Sequence, residues 1–313
     1  MQLESIKTIL VIGAGIMGHG VAQVFAQAGY SVRLVDLDQG ALDKAMARIR
    51  ASLHTLAAEG HIDKKDIDRT LKNIQFHTDL SAASEKADFV VEAVAEVPEI
   101  KKEIFSKIDA LCPSDVIFAS NTSSLDVFSI IRISNPSRVV AAHFFAPAQI
   151  IPLVEVCPGP ETSPEVVALT ARLMEKIGKQ PVCLKKFVPS YIVNRIQNQI
   201  SAAVFEMLIN GYAAPEDIDR AVKASLGIRL PIVGVVQSLD FTGLDVVHDI
   251  MKSKGITLPL IADRVARGEL GAKTSRGFYD YQGRSEEEIL AKRDALYLKM
   301  LEHIKKIRAF DAV

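Results

Sequence analysis

Two sets of residues in this 313-residue chain have the types and spacing to do chemistry. The first is a glycine loop. An apolar run, Thr8–Ile12, leads into Gly13-Ala14-Gly15-Ile16-Met17-Gly18, and a helical pattern over Met17–Ala28 follows. A lone G-x-G-x-x-G is a weak signal, but between a strand and a helix it has the context of a dinucleotide site. Gly13 permits the tight turn, Gly15 lets backbone approach a pyrophosphate, and Gly18 lets the helix pack closely on the strand. The helix N-terminus then offers free N–H groups and a positive dipole end to phosphates. Asp36 follows the next apolar run, Ser31–Val35, at the spacing where such a fingerprint needs an acid. A carboxylate there hydrogen-bonds adenosine ribose hydroxyls and repels the extra phosphate of NADP, so NAD is the expected cofactor. The structural alternative is a glycine turn with a solvated aspartate.

The second set is an acid and a histidine. Leu153-Val-Glu155-Val156 places a carboxylate inside an apolar strand, and an unpaired buried carboxylate costs several kcal/mol. His143, twelve residues earlier, closes another apolar run, Val139–Ala142. A Glu that orients a His, with the second ring nitrogen free to move a proton, is the dyad that oxidation of an alcohol requires. Taken alone, a core histidine and a structural salt bridge are the more common explanation of such a pair.

The elements that must position these groups alternate through the first half. Expected strands are Thr8–Ile12, Ser31–Val35, Asn73–His77, Phe89–Val94, Val116–Ala119, Arg138–Ala142 and Leu153–Val156. Expected helices are Met17–Ala28, Gln39–Ala58, Glu99–Leu111 and Pro164–Ile177. Such alternation predicts an α/β fold: a Rossmann-type, doubly wound, mostly parallel sheet. Lys64–Leu71 reads as a further helix that completes a helical hairpin inserted between the second and third strands. From Pro189 onward helical periodicity takes over, with Ile192, Ile196, Ile200, Val204 and Leu208 four apart. Only Phe278–Tyr281 reads as a strand in this part. The expected domains are therefore a dinucleotide-binding unit, 1–186, and an all-α unit, 187–313, with Pro215 opening one helix and Glu286–Phe310 forming another.

Composition excludes several function classes. With 37 basic and 38 acidic residues, the formal charge is −1, which speaks against electrostatic nucleic-acid binding and a polybasic membrane surface. No apolar run is long enough for a membrane span. Cys112, Cys157 and Cys183 are far apart and odd in number, so neither disulfides nor a metal site is expected. Buried structural thiols in a reducing cytoplasm are the simplest reading.

Beyond these residues the chain resembles the 3-hydroxyacyl-CoA dehydrogenases over nearly its whole length. The resemblance rests on Gly13–Gly18, Ala119-Ser-Asn-Thr-Ser-Ser-Leu125, His143-Phe-Phe, Pro152-Leu-Val-Glu-Val156, Val193-Asn-Arg195, Glu216-Asp-Ile-Asp219, Gly243-Leu-Asp245 and Gly277-Phe-Tyr279. It implies His143 as general base, Glu155 as its orienting partner, and Ser123 and Asn194 as donors to the substrate oxygen. It implies cofactor contacts at Glu96, Lys101, Ser123 and Lys273, besides the glycine loop and Asp36, and a CoA contact at Ser52. Bland alternatives stand beside these: Ser123 as a helix cap, Asn194 as a polar residue opening a helix, Lys101 and Lys273 as solvated charges. The resemblance also implies an enzyme of fatty acid β-oxidation, acting on a short-chain 3-hydroxyacyl-CoA and forming a homodimer through its helical domain.

Some positions depart from the pattern. Ala146 stands where the family has an asparagine near the nicotinamide, and Ile151-Pro152 replaces Met-Lys. Pro189-Ser-Tyr191 replaces Pro-Gly-Phe, and Glu59 aligns with a lysine that meets the CoA phosphate, with Lys64 and Lys65 nearby as substitutes. Gly227-Ile-Arg229-Leu and Gly283-Arg-Ser-Glu-Glu resemble a branch that includes L-gulonate and carnitine dehydrogenases. A free 3-hydroxy acid is therefore a second expected substrate class, and a non-catalytic NAD-binding protein a third reading.

Overall fold

The computed structural model describes residues 2–311, which fall into two compact units dividing between Gln199 and Ile200. In the first unit the order is β1 (Thr8–Ile12), α1 (Ile16–Gln27), β2 (Ser31–Val35), α2 (Gln39–Ala58), α3 (Lys65–Lys72) and β3 (Ile74–His77). There follow α4 (Leu80–Ser84), β4 (Phe89–Glu92), α5 (Pro98–Leu111), β5 (Ile117–Ser120), α6 (Val127–Ile130), β6 (Val139–Phe144), β7 (Leu153–Pro158), α7 (Pro164–Lys176) and β8 (Gln180–Cys183). A helix, α8 (Val193–Ile209), runs across the division.

The eight strands form one sheet in the order β3-β2-β1-β4-β5-β6-β7-β8. The direction of winding reverses between β1 and β4, and in such sheets ligands bind beyond the carboxyl ends at that point. Period-two alternation along β1 explains why both faces are covered: Ile9 and Val11 enter one core with Phe25, Leu42 and Leu173, while Leu10 and Ile12 enter the other with Phe105, Ile108 and Phe118. Each such side chain, fully buried, contributes roughly 1.5–3 kcal/mol. The α2–α3 hairpin stands where the sequence expects it, and Asp38 caps α2 by accepting from the Gly40 N–H.

Two features add to the expected, mostly parallel sheet. β6 and β7 pair antiparallel, with His143 directly opposite Glu155, while every other pairing is parallel. β8 was not expected, because Pro181 and its exposed edge position weaken the strand pattern. Its last residue, Cys183, is exposed, which corrects the reading of three buried thiols; Cys112 and Cys157 are buried.

The second unit is helical, as expected: α9 (Pro215–Ala224), α10 (Leu226–Thr242), α11 (Leu244–Ser253), α12 (Pro259–Ala266) and α13 (Glu286–Lys306). Pro215 opens α9, and a Ser285/Glu288 capping box opens α13. Phe278–Tyr281 is not a strand. The Phe278 and Tyr279 N–H groups donate to the buried Asp240 carboxylate at 2.8 and 2.9 Å, and the Tyr281 hydroxyl donates to it at 3.1 Å. An internal acid satisfies the first two N–H groups of that stretch, and the Tyr281 N–H donates to the Ser275 carbonyl at 3.0 Å. Among the described residues no single helix is long and apolar enough to cross a membrane.

Candidate active site

The glycine loop is built around a clash that only glycine avoids. Gly13 has φ 101°, and a Cβ there would meet the Ala93 carbonyl oxygen at 2.6 Å. A Cβ on Gly18 would lie 1.7 Å from the Gly13 carbonyl oxygen. A Cβ on Gly15 would meet nothing within 4 Å, and Gly15 caps α1 without a side-chain acceptor, leaving the first helical N–H groups open to an anion. Behind the loop, the buried His19 places Nδ1 2.8 Å from the Gly15 carbonyl. Burial and the charge of Arg48 outweigh that bond and hold the ring below its ordinary pKa, so a neutral imidazole donates here.

Asp36 is bound to the same loop: one carboxylate oxygen accepts from the Ala14 N–H at 2.8 Å and the other from Asp38 N–H at 3.1 Å. Each oxygen keeps a lone pair for a hydroxyl. Gly13, Gly15 and Asp36 line a cleft of about 440 Å³ with apolar walls from Val94, Ile100 and Ile104. A dinucleotide fits this set: apolar walls for a base, an acid for ribose hydroxyls and open N–H groups for a pyrophosphate.

The dyad forms in the β6–β7 register. His143 Nδ1 donates to Glu155 Oε2 at 2.9 Å, and Glu155 Oε1 accepts from the Ile192 and Val193 N–H groups at 3.0 and 2.9 Å. One carboxylate thus orients the imidazole and anchors the start of α8, where Asn194 is the second residue. Burial opposes ionisation of Glu155, but the bonds from His143, Val193 and Ile192 outweigh it and hold its pKa below the ordinary value. With Nδ1 committed as donor, Nε2 carries the free lone pair of a base. The ring lies against Phe145 and Tyr191, with centroids 4.5 and 5.2 Å away.

Ser123 is held by Glu96. Glu96 Oε1 accepts from Thr122 Oγ1 (2.6 Å), Ser123 N–H (2.8 Å) and Ser124 N–H (3.1 Å). The Ser123 hydroxyl is exposed, and it is not a helix cap: Asp126 caps α6. Asn121 Oδ1 accepts from the Phe144 N–H at 2.8 Å, tying this loop to the residue after His143. Lys101 is not a solvated charge. It is buried and reaches Glu92 at 2.7 Å and Glu96 at 3.2 Å. Lys273 belongs to the second unit, where it pairs with Asp245 at 2.7 Å. Ser52 is half-buried on α2, and the hairpin groove is lined by Arg50, His54 and Lys64. Lys65 is turned to Asp63 instead, and Glu59 is exposed at the end of α2.

Sequence reasoning missed Glu92, His19, Asn121 and Tyr191. Glu92 had a signal: it stands in Phe89-Val-Val-Glu92, an apolar strand with an acid, as Glu155 does. Among the described residues no group of three or more His, Cys, Asp or Glu side chains forms a metal site.

Two family models match the chain. The NAD binding domain of 3-hydroxyacyl-CoA dehydrogenase covers residues 8–187, and the C-terminal domain of the same enzyme covers 191–281. The chain belongs to the 3-hydroxyacyl-CoA dehydrogenase family. Its class is that of an NAD-dependent oxidoreductase. It is 37% identical over 286 residues to a probable 3-hydroxybutyryl-CoA dehydrogenase of Bacillus subtilis, covering 88% of this chain and 98% of that one. It is 29% identical to the 5-formyl-3-hydroxy-2-methylpyridine 4-carboxylate 5-dehydrogenase of Mesorhizobium japonicum, covering 92% and 95%. The solved 3-hydroxyacyl-CoA dehydrogenase of Archaeoglobus fulgidus superposes with a TM-score of 0.78 at 27% identity, covering 96% and 99%.

The acid side of the stability profile follows from the dyad. The pKa of Glu155 is lower in the folded state than its ordinary value of 4.5, so its contribution is present above that value and lost as pH falls through the folded one. The melting temperature is expected to fall on acidification below about pH 4.5, and that of Glu155→Gln to fall less steeply there. Differential scanning calorimetry of both proteins is the check; parallel curves would remove Glu155 from the acid limb.

Proposed function

We propose that the chain interconverts a short-chain 3-hydroxyacyl-CoA and the corresponding 3-oxoacyl-CoA with NAD. The observation that carries the reading is the His143–Glu155 pair, with Nδ1 committed and Nε2 free. In the oxidative direction His143 Nε2 takes the proton of the C3 hydroxyl. Glu155 stabilises the imidazolium that forms and keeps the ring in register. The Ser123 hydroxyl and the Asn194 amide hydrogen-bond the C3 oxygen or the thioester carbonyl, where charge changes in the transition state. NAD, held by Gly13, Ala14, Gly15, Ile16, Met17, Gly18 and Asp36, supplies the hydride acceptor. Ser52 and the Arg50–His54–Lys64 groove would receive the CoA moiety, with Lys64 in the role of the cation that Glu59 displaces.

Steady-state oxidation of NADH with acetoacetyl-CoA tests this reading. Turnover supports it, and no turnover with any 3-oxoacyl-CoA overturns it. A second reading, a free 3-hydroxy or aromatic hydroxy acid as substrate, is favoured by the acid at Glu59 and by Ala146, which is exposed and carries no polar group. Free acetoacetate assayed beside acetoacetyl-CoA separates the two.

A homodimer is part of the same proposal. Along α8, Phe205, Leu208 and Ile209 share one side and are exposed, Phe205 by 62% and Ile209 by 82%. Burying such a stripe in a subunit interface removes apolar area from water at roughly 25 cal/mol per Å². Sedimentation velocity is expected to give a dimer at micromolar concentration, and Phe205→Glu to give monomer; a monomeric unsubstituted chain would refute the assembly. Placement in fatty acid β-oxidation is proposed on the family ground, and placement in the cytoplasm on the free cysteines.

A further inference from the structure

Glu92 ends β4 with its side chain fully buried, 0% exposed. Every partner it has is a donor. Oε1 accepts from the Val94 N–H at 2.9 Å and from Lys101 Nζ at 2.7 Å, and Oε2 accepts from Ser120 Oγ at 2.6 Å. Lys101, 1% exposed, also reaches Glu96. The linked cluster therefore holds two carboxylates and one ammonium, a net charge of −1, with Glu92 and Lys101 buried and Glu96 partly exposed. Glu92 and Ser120 occupy matching ends of neighbouring parallel strands, β4 and β5, paired in register. These are the carboxyl ends just past the reversal of winding, on the side of the sheet away from Asp36 at the end of β2. In a doubly wound sheet a dinucleotide lies across that reversal, so the half opposite the adenosine acid is the nicotinamide half.

We infer that Glu92 gives this cluster its excess negative charge and thereby favours the oxidised, cationic nicotinamide over the reduced, neutral one. The inference rests on the NAD reading proposed above. A single Glu–Lys pair would be neutral and would leave the two cofactor forms undistinguished by charge. The second carboxylate, fixed by three donors, acts on the one feature in which the forms differ most. Glu92 is thus a positioning and electrostatic residue, reaching the cofactor through Lys101 and the field of the cluster, not by contact.

The test is the ratio of dissociation constants for NAD+ and NADH, measured without substrate by isothermal titration calorimetry and by NADH fluorescence. Contacts common to both forms cancel in this ratio. Glu92→Gln is expected to shift it by about tenfold toward NADH, the order expected of one buried charge at medium range. Ser120→Ala, which removes a neutral bond, is expected to leave the ratio within about twofold. Should Glu92→Gln not fold by circular dichroism, Glu96→Gln removes one charge from the same cluster at a half-exposed position and carries the same expectation. An unchanged ratio in the folded charge variant overturns the inference and leaves the NAD reading standing. Failure of the unsubstituted chain to bind either form overturns both.

Discussion

Replacing His143 with Gln is expected to lower kcat by about a hundredfold to ten-thousandfold, the range over which positioned proton transfer contributes to catalysis. The affinity for NADH should change by less than about twofold, because the groups that build the glycine loop are separate from the dyad. Gln is the informative substitution. Its amide can still donate to Glu155, which otherwise keeps only the Ile192 and Val193 N–H groups as partners. Removing the ring altogether would strand a buried carboxylate and confound catalysis with a stability loss of about 3–5 kcal/mol. The measurements are kcat and KM with acetoacetyl-CoA, or with whichever oxo substrate proves active, and the NADH dissociation constant. Turnover within a few-fold of the unsubstituted protein would show that proton transfer does not pass through His143, whatever the substrate.

The residues of this dyad are visible in the chain, but their meeting is not. Two apolar runs, one closed by a histidine and one holding an acid, are compatible with parallel strands in which the two side chains are far apart. The antiparallel β6–β7 pairing decides it, and that depends on the loop Phe145–Pro152, whose path Lys179 holds by donating to the Ala148 and Ile151 carbonyls. No local pattern announces a lysine nearly thirty residues on as the anchor. The Glu92 cluster is hidden differently: the acid inside the expected strand Phe89–Val94 asks for a partner as Glu155 does, but nothing in the pattern points to a lysine a turn into the next helix. Phe278–Tyr281 misleads in the opposite sense, since aromatic residues with strand propensity are held by the Asp240 carboxylate in the second unit. Repeated local patterns carried the elements; the long-range polar bonds that turn elements into a site were legible only as residues in need of partners.

Gly18→Ala is expected to abolish measurable NADH binding, a loss of a hundredfold or more in affinity. The added methyl would sit 1.7 Å from the Gly13 carbonyl oxygen and 2.8 Å from its carbon. Both are backbone atoms, so no rotamer change relieves the contact. Gly13 cannot give way freely, because its N–H donates to Val35 O at 2.7 Å, at the end of β2. The loop must therefore lift off the strand as a unit. Doing so breaks the Ala14–Asp36 bond and moves the open N–H groups of α1, the groups proposed to meet the pyrophosphate. Overpacking of this kind also costs about 1–3 kcal/mol of stability, seen as a lower melting temperature. Gly15→Ala separates geometry from bulk: its Cβ meets no protein atom within 4 Å and its φ of −70° suits alanine, so stability is retained. Weakened NADH binding in that variant would then report a Cβ intruding on the cofactor rather than a damaged loop. Equal affinity for NADH in the unsubstituted, Gly15→Ala and Gly18→Ala proteins would show that the loop is a structural turn only, and that the cofactor is held elsewhere.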